Sequence, residues 1–182
     1  MRAIQAALPG VLVIEPKVFD DARGFFLESW NERTFARVTG LDVRFVQDNH
    51  SRSRRGVLRG LHYQIRQPQG RLVRVVRGAI FDVAVDLRRS SLTFGRWFGV
   101  ELTEGNHRQL WVPPGFGHGF LVLSEAADVL YKATDYYAPE HERSLLWNDP
   151  AVGIGWPLDG IEPLLSAKDA AGLPLAQCEV YP

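Results

Sequence analysis

The sequence predicts an all-β protein, an antiparallel sandwich or barrel of the jelly-roll kind with a few short helices. Three observations lead there. Runs rich in Val, Phe, Trp and Tyr recur at roughly ten-residue intervals, and such residues suit a pleated, half-buried surface. Gly or Pro punctuates the gaps, at Gly70, Gly78, Gly95, Gly105, Pro113, Pro114 and Gly115. Helical periodicity is scarce, and many short strands joined by turns close into sandwiches or barrels.

Taken in order, the expected strands begin with VLVIEP (11–16) and GFFLESW (24–30). NERTFARVTG (31–40) then reads as a helix, with Asn31 as N-cap and Gly40 as stop. VRFVQDNHS (43–51) and GVLRGLHYQ (56–64) return to strand. RLVRVVRG (71–78) alternates, but Arg71, Arg74 and Arg77 break a two-residue period, which implies a bulge. AIFDVAVDLR (79–88), RWFGVELT (96–103), QLWVPP (109–114), GFLVLS (119–124) and DVLYKATDYY (128–137) complete the strands. SAKDAAG (166–172) suits one or two helical turns, opened by Ser166. The chain shows no repeat and no linker, so one domain over 1–182 is expected. The Gly-, Pro- and Ala-rich segment after Pro157 is expected on the barrel surface.

Lys plus Arg and Asp plus Glu balance at 21 each, which predicts no general affinity for nucleic acid or anionic membrane. The basic stretch HSRSRRG (50–56) reads as a solvated loop. Cys178 is the sole cysteine and has no internal disulfide partner, in keeping with a reducing cytoplasm. Pro9-Gly10 interrupts the early apolar run, and no run approaches the ~20 residues of a membrane span.

PPGFGHGF (113–120) resembles the second motif of the cupin barrels, many of which hold a metal. The matching first motif would need two closely spaced histidines, and GAIFDVAVDL (78–87) has none. The five histidines, His50, His62, His107, His118 and His141, form no i, i+2 or i, i+4 pair, so no metal is expected. There is no Gly-rich dinucleotide motif, and no cofactor is expected.

Acid–base candidates remain. His62, in VLRGLHYQ, has a side chain that titrates near neutrality and suits a base, though a packed histidine would look the same. Its neighbour Arg59 would point to the opposite face of a regular strand, unless Gly60 makes a bulge that turns both toward one cavity. Asp82 and Asp86 share one face of an apolar strand. Asp169 reads either as an orienting carboxylate or as the third position of a capping box. Tyr131 suits an acid or a core position, and His118, in a Pro/Gly-rich turn, suits a structural role. Arg23, Arg59 and Arg71 suit phosphate or an oxyanion. Phe19, Phe26, Trp111 and Tyr137 could stack on a base or pack in the core.

The combination DARGFFLESW, FVQDNHSRS, GVLRGLHYQ, QGRLVRVVRGAIFDVAVDLRRSSLTFG, QLWVPPGFGHGFLVLS, YKATDYYAPEHERSLLWNDP and LSAKD, spanning roughly residues 2 to 172, resembles the dTDP-4-dehydrorhamnose 3,5-epimerase family. That resemblance implies a cupin-like jelly roll, active without metal or cofactor. It implies a homodimer whose N-terminal strands extend the partner's sheet and reach the neighbouring site. It implies His62 as base, Asp169 as its carboxylate and Tyr131 as the opposite-face acid. Arg23, Phe26, Glu28, Gln47, Asn49 and Arg59 match nucleotide-sugar contacts, His118 joins the substrate-binding set, and Tyr137 matches the aromatic near thymine. One residue departs: the family's usual lysine after QG, beside the 4-keto oxygen, is Arg71 here. The residues leave open a mono-epimerase or ketoisomerase, a metal-dependent cupin enzyme, and a non-catalytic binder of nucleotide sugars.

Overall fold

The computed structural model describes every residue from Met1 to Pro182. Two antiparallel sheets face each other. The larger runs β1 (Arg2–Gln5), β2 (Leu12–Glu15), β10 (Gln109–Val112), β7 (Arg71–Arg77), β12 (Ala126–Ala133), β5 (Gln47–Arg54). The smaller runs β13 (Glu142–Ser144), β6 (Leu58–Gln64), β11 (Phe116–Val122), β8 (Ala79–Asp86), β9 (Trp97–Thr103). A separate hairpin pairs β3 (Val18–Asp21) with β4 (Gly24–Leu27).

The core lies between the sheets. Val73, Val75 and Val129 of the larger meet Ile80, Ala84, Phe116, Phe120 and Val122 of the smaller. The smaller sheet is covered on its other face as well, where Leu61, Tyr63, Val83 and Val85 pack against Val152, Trp156, Cys178 and Tyr181. Double coverage explains the reading of AIFDVAVD as a nearly continuous apolar run rather than an alternating one. The larger sheet is partly covered by α1 (Glu32–Thr39), whose Phe35 inserts among Ile14, Leu72 and Trp111. Trp111 is thus a core residue and no platform for a base.

Helix α1 has the expected ends: Asn31 Oδ1 accepts from the Thr34 N–H at 3.0 Å, and Gly40 leaves the helix at φ 72°. The short α2 (Ala167–Ala170) opens with a reciprocal Ser166–Asp169 capping box.

Several expectations change. HSRSRRG is no loop down to Arg54: His50 to Arg54 form the second half of β5. There His50, Arg52 and Arg54 are exposed and Ser51 and Ser53 point inward, so the charges are solvated while the backbone is paired. β11 begins at Phe116, which puts His118 inside a strand rather than in the turn before it. β12 ends at Ala133, leaving Tyr137 in the following loop. Strands β1, β3 and β13 are additional; they are short, β1 and β3 are largely exposed and β13 is half-buried throughout, and none carries an alternation to read. The tail does more than lie on the surface. It makes parallel bridges Val57 to Leu164, Leu145 to Leu173 and Arg88 to Tyr181, and it buries Asp169 and Cys178.

The bulge expected in β7 is present, since Arg77 and Val75 face the adjacent residues Asp128 and Val129. A second occurs in β6. His62 pairs with His118 and Arg59 with Phe120, so three steps on β6 oppose two on β11. Cross-strand partners share a face. The slip therefore turns both Arg59 and His62 toward the interior. Gly60 makes it sterically feasible: its φ is 123°, and a Cβ there would lie 2.5 Å from Gly119 Cα and 2.8 Å from the His118 carbonyl oxygen.

Candidate active site

The inner face is polar along one edge of the sandwich. β5 alternates strictly, with Gln47, Asn49, Ser51 and Ser53 turned in and Asp48, His50, Arg52 and Arg54 turned out. Asn49 pairs in register with Tyr131, so the two side chains share the inner face. Gln47 Nε2 donates to Asn49 Oδ1 at 3.0 Å, and Asn49 Nδ2 is left buried without a partner. Arg59 crosses from the opposite sheet and its Nε donates to Ser53 Oγ at 2.9 Å.

His62 meets the carboxylate that the sequence left ambiguous. Its Nε2 lies 2.7 Å from Asp169 Oδ1, though off the line of a well-directed hydrogen bond. Asp169 is simultaneously the cap: Oδ2 accepts from Ser166 Oγ at 2.6 Å, while Oδ1 also accepts the Gly60 N–H at 3.0 Å. Burial raises the pKa of Asp169, but the His62 contact, the Ser166 hydroxyl and the Gly60 amide outweigh it and hold the carboxyl far below its usual range. The bulge glycine thus also orients the carboxylate that faces His62. His62 Nδ1 has no protein partner.

Arg71 extends inward from β7 between the sheets. Its Nη1 lies 3.5 Å from the His62 carbonyl oxygen and 3.3 Å from His118 Nδ1, and Nη2 donates to Gln69 Oε1 at 3.2 Å. Its guanidinium carbon is 5.7 Å from the centre of the Tyr131 ring. His118 Nε2 contacts Asp82 Oδ1 at 2.7 Å, and both residues are buried. At the cavity edge Tyr137, about half exposed, donates from its hydroxyl to Glu142 Oε2 at 2.7 Å, and that bond raises the tyrosine pKa. Its backbone N–H donates to Gln47 Oε1. Lys168 pairs with the other oxygen of Glu142.

The interior therefore gathers His62, Asp169, Tyr131, Arg71, Asn49, Gln47 and His118, with Arg59 and Tyr137 exposed at its edge. It does not gather Arg23, Phe26 or Glu28. Arg23 pairs with Asp21 in its own hairpin, Phe26 is 70% exposed, and Glu28 accepts from Asn31. The hollow beside the hairpin is lined by Phe25, Phe26, Val75, Val76, Glu104 and His107, none from the His62 group. Asp86 is also outside the site, bound to Arg88, Ser91 and Thr93. Sequence reasoning missed Glu142 and Lys168. Lys168 stood beside the flagged Asp169, whereas Glu142 carried no signal in a run of surface charges. No group of three or more His, Cys, Asp or Glu is arranged to hold a metal ion. No helix is long and apolar enough to cross a membrane.

A base, its carboxylate, a phenol and two guanidinium groups around one polar interior can move a carbon-bound proton and hold the resulting negative charge. Comparison with known proteins agrees. Residues 5–177 match the family model described as dTDP-4-dehydrorhamnose 3,5-epimerase. A dTDP-4-dehydrorhamnose 3,5-epimerase of Pseudomonas aeruginosa is 59% identical over 182 residues, covering 100% of both chains. The crystal structure of the Legionella pneumophila 3,5-epimerase in complex with dTDP-4-keto-L-rhamnose superposes with a TM-score of 0.95 at 52% identity, over 98% of this chain and 94% of that one. A 3′-monoepimerase from Streptomyces bikiniensis, in complex with dTDP-quinovose, is more distant: TM-score 0.88 and 38% identity, over 97% of this chain and 88% of that one.

Proposed function

The chain belongs to the dTDP-4-dehydrorhamnose 3,5-epimerase family, and from that premise we propose that it converts dTDP-4-dehydro-6-deoxy-D-glucose to dTDP-4-dehydro-L-rhamnose by inverting carbons 3 and 5. The observation that carries the reading is the position of His62 and Tyr131 on opposed sheets, with Arg71 between them.

The ketone at carbon 4 acidifies its neighbours. His62 Nδ1, free of protein partners, takes the proton from carbon 3 or 5, and the C–H electron pair moves onto the keto oxygen as an enolate. Asp169 stabilises the imidazolium that forms. Arg71 answers the charge on oxygen. Tyr131 then returns a proton to carbon from the other face, the enolate electrons re-form the ketone, and solvent restores both side chains. Each well-placed acid or base contributes about 10²–10⁴-fold. Arg59, Gln47 and the unpartnered Asn49 donor suit the diphosphate and sugar, His118 lines the same wall, and Tyr137 suits the thymine. Holding the remote nucleotide keeps the ring still while each carbon reacts in turn.

The remaining contacts come from a second copy in this reading. The exposed Phe19, Phe25 and Phe26 support a homodimer in which the partner's hairpin delivers Arg23, Phe26 and Glu28. A cytoplasmic location belongs to the same reading, since activated nucleotide sugars are cytoplasmic metabolites.

Incubation with dTDP-4-keto-6-deoxyglucose in heavy water tests the function. Deuterium at carbons 3 and 5 is expected. Deuterium at one of them would make the enzyme a mono-epimerase like the S. bikiniensis neighbour, and none at either would end the proposal.

A further inference from the structure

Arg71 has no carboxylate partner. Its protein contacts are the His62 carbonyl, the Gln69 amide oxygen and His118 Nδ1, all neutral acceptors. A guanidinium can only donate, so the contact at 3.3 Å requires a lone pair on His118 Nδ1. The ring proton then resides on Nε2, which donates to Asp82 Oδ1 at 2.7 Å. Asp82 itself is fully buried in a strand whose only other polar residue is Asp86 at its end, and its Oδ2 has no partner. Burying a carboxylate with an unsatisfied oxygen is unfavourable to folding, and nothing in the packing of β8 calls for one.

We propose that Asp82, acting through His118, is a positioning residue for Arg71. It selects the imidazole tautomer that offers Arg71 an acceptor, and it aims the guanidinium at the developing oxyanion without neutralising it. The inference rests on the epimerase reading above. A direct Asp–Arg pair would hold the arginine as firmly but would spend its charge before substrate arrived. One imidazole of separation keeps the alignment and leaves the positive charge for the enolate. The other tautomer would set an N–H against an N–H and push Arg71 away. Burial pulls the Arg71 pKa down, and Tyr131, Glu142, Tyr181 and, least of the four, Asp82 oppose that pull.

The test is a double-mutant cycle on the full chain with Asp82→Asn, Arg71→Ala and the double variant. Turnover of the dTDP-4-keto sugar and deuterium uptake are both followed. Asp82→Asn is expected to lower kcat about 10- to 100-fold while KM moves less than about threefold. In the Arg71→Ala background the same change should cost almost nothing, because the group it positions is gone. His118→Phe keeps a ring of similar size but removes the acceptor for Arg71. It should reproduce the loss in kcat and covers the case in which Asp82→Asn fails to fold. Additive losses in the cycle, or full kcat in either single variant, would overturn the proposal. So would ¹⁵N spectra of the wild type showing the proton of His118 on Nδ1. A wild type that exchanges no sugar proton would instead overturn the epimerase reading beneath it.

Discussion

A histidine that removes a proton from carbon needs one nitrogen free and the other braced against the charge it gains. His62 has both, with Nδ1 unpartnered and Asp169 at Nε2. His62→Ala should cut turnover by at least about 10²-fold while leaving dTDP affinity near wild type; unchanged deuterium uptake would remove His62 from the base role. Tyr131→Phe should give a similar loss, visible as slowed inversion relative to exchange. Arg71 is informative because the family usually has lysine there. Both side chains carry charge, so Arg71→Lys should stay within about tenfold of wild type, whereas Arg71→Ala should not, measured as kcat. Asp86 plays a purely structural part. Burial opposes its ionisation, but Arg88, Ser91 and Thr93 outweigh burial and set its pKa at about 2 against 3.8 for a free side chain. The unfolded chain thus binds this proton first as pH falls. The stabilisation is complete above pH 3.8 and is lost on the way down to about 2. Asp86→Asn should cost about 2 kcal/mol near neutrality and flatten the acid limb of the stability curve, read by urea unfolding at several pH values.

Between single residues and the fold stand the bulge in β6 and the cap of α2, which together bring His62 and Asp169 face to face. Gly60 supplies the conformation that aims Arg59 and His62 inward, and its N–H reaches Asp169. Gly60→Ala would press a methyl onto Gly119 and force the two strands apart. It should therefore destabilise by more than about 1 kcal/mol and lower kcat more steeply than stability explains; an alanine variant with wild-type turnover would show that the slip is dispensable. Two bulges, one marked by a glycine and one by out-of-phase arginines, could be read before the fold was seen. The strand limits could not. His50–Arg54 and Phe116–His118 look like loop because charge, Gly and Pro dominate them locally, and only pairing with β12 and with β6 and β8 makes them strand.

At the level of the whole molecule, the β3–β4 hairpin stands apart from both sheets and exposes Phe19, Phe25 and Phe26. A lone two-stranded hairpin is marginal in water, and aromatics that large favour cover by another surface. Sedimentation should give a dimer. Replacing Phe25 and Phe26 together by Ser should shift the protein toward monomer and lower activity in step, since the partner's hairpin carries site residues in this reading. A fully active monomer would contradict the shared site.

The sequence by itself determined the all-β class, the ends of α1, the glycine at which β6 slips, and the residue types that proton transfer beside a ketone requires. These are local matters of periodicity, capping and side-chain chemistry. Tertiary structure alone decided which of those residues meet. Asp169 reaches His62 from 107 positions away only because the tail folds back over the smaller sheet. His118 touches Arg71 because their sheets face each other. Arg23 and Phe26 in the hairpin, and Glu28 just after it, remain outside because that segment belongs to neither sheet. Convergence of distant side chains follows from how the two sheets and the tail pack, and no window of neighbouring residues contains that information.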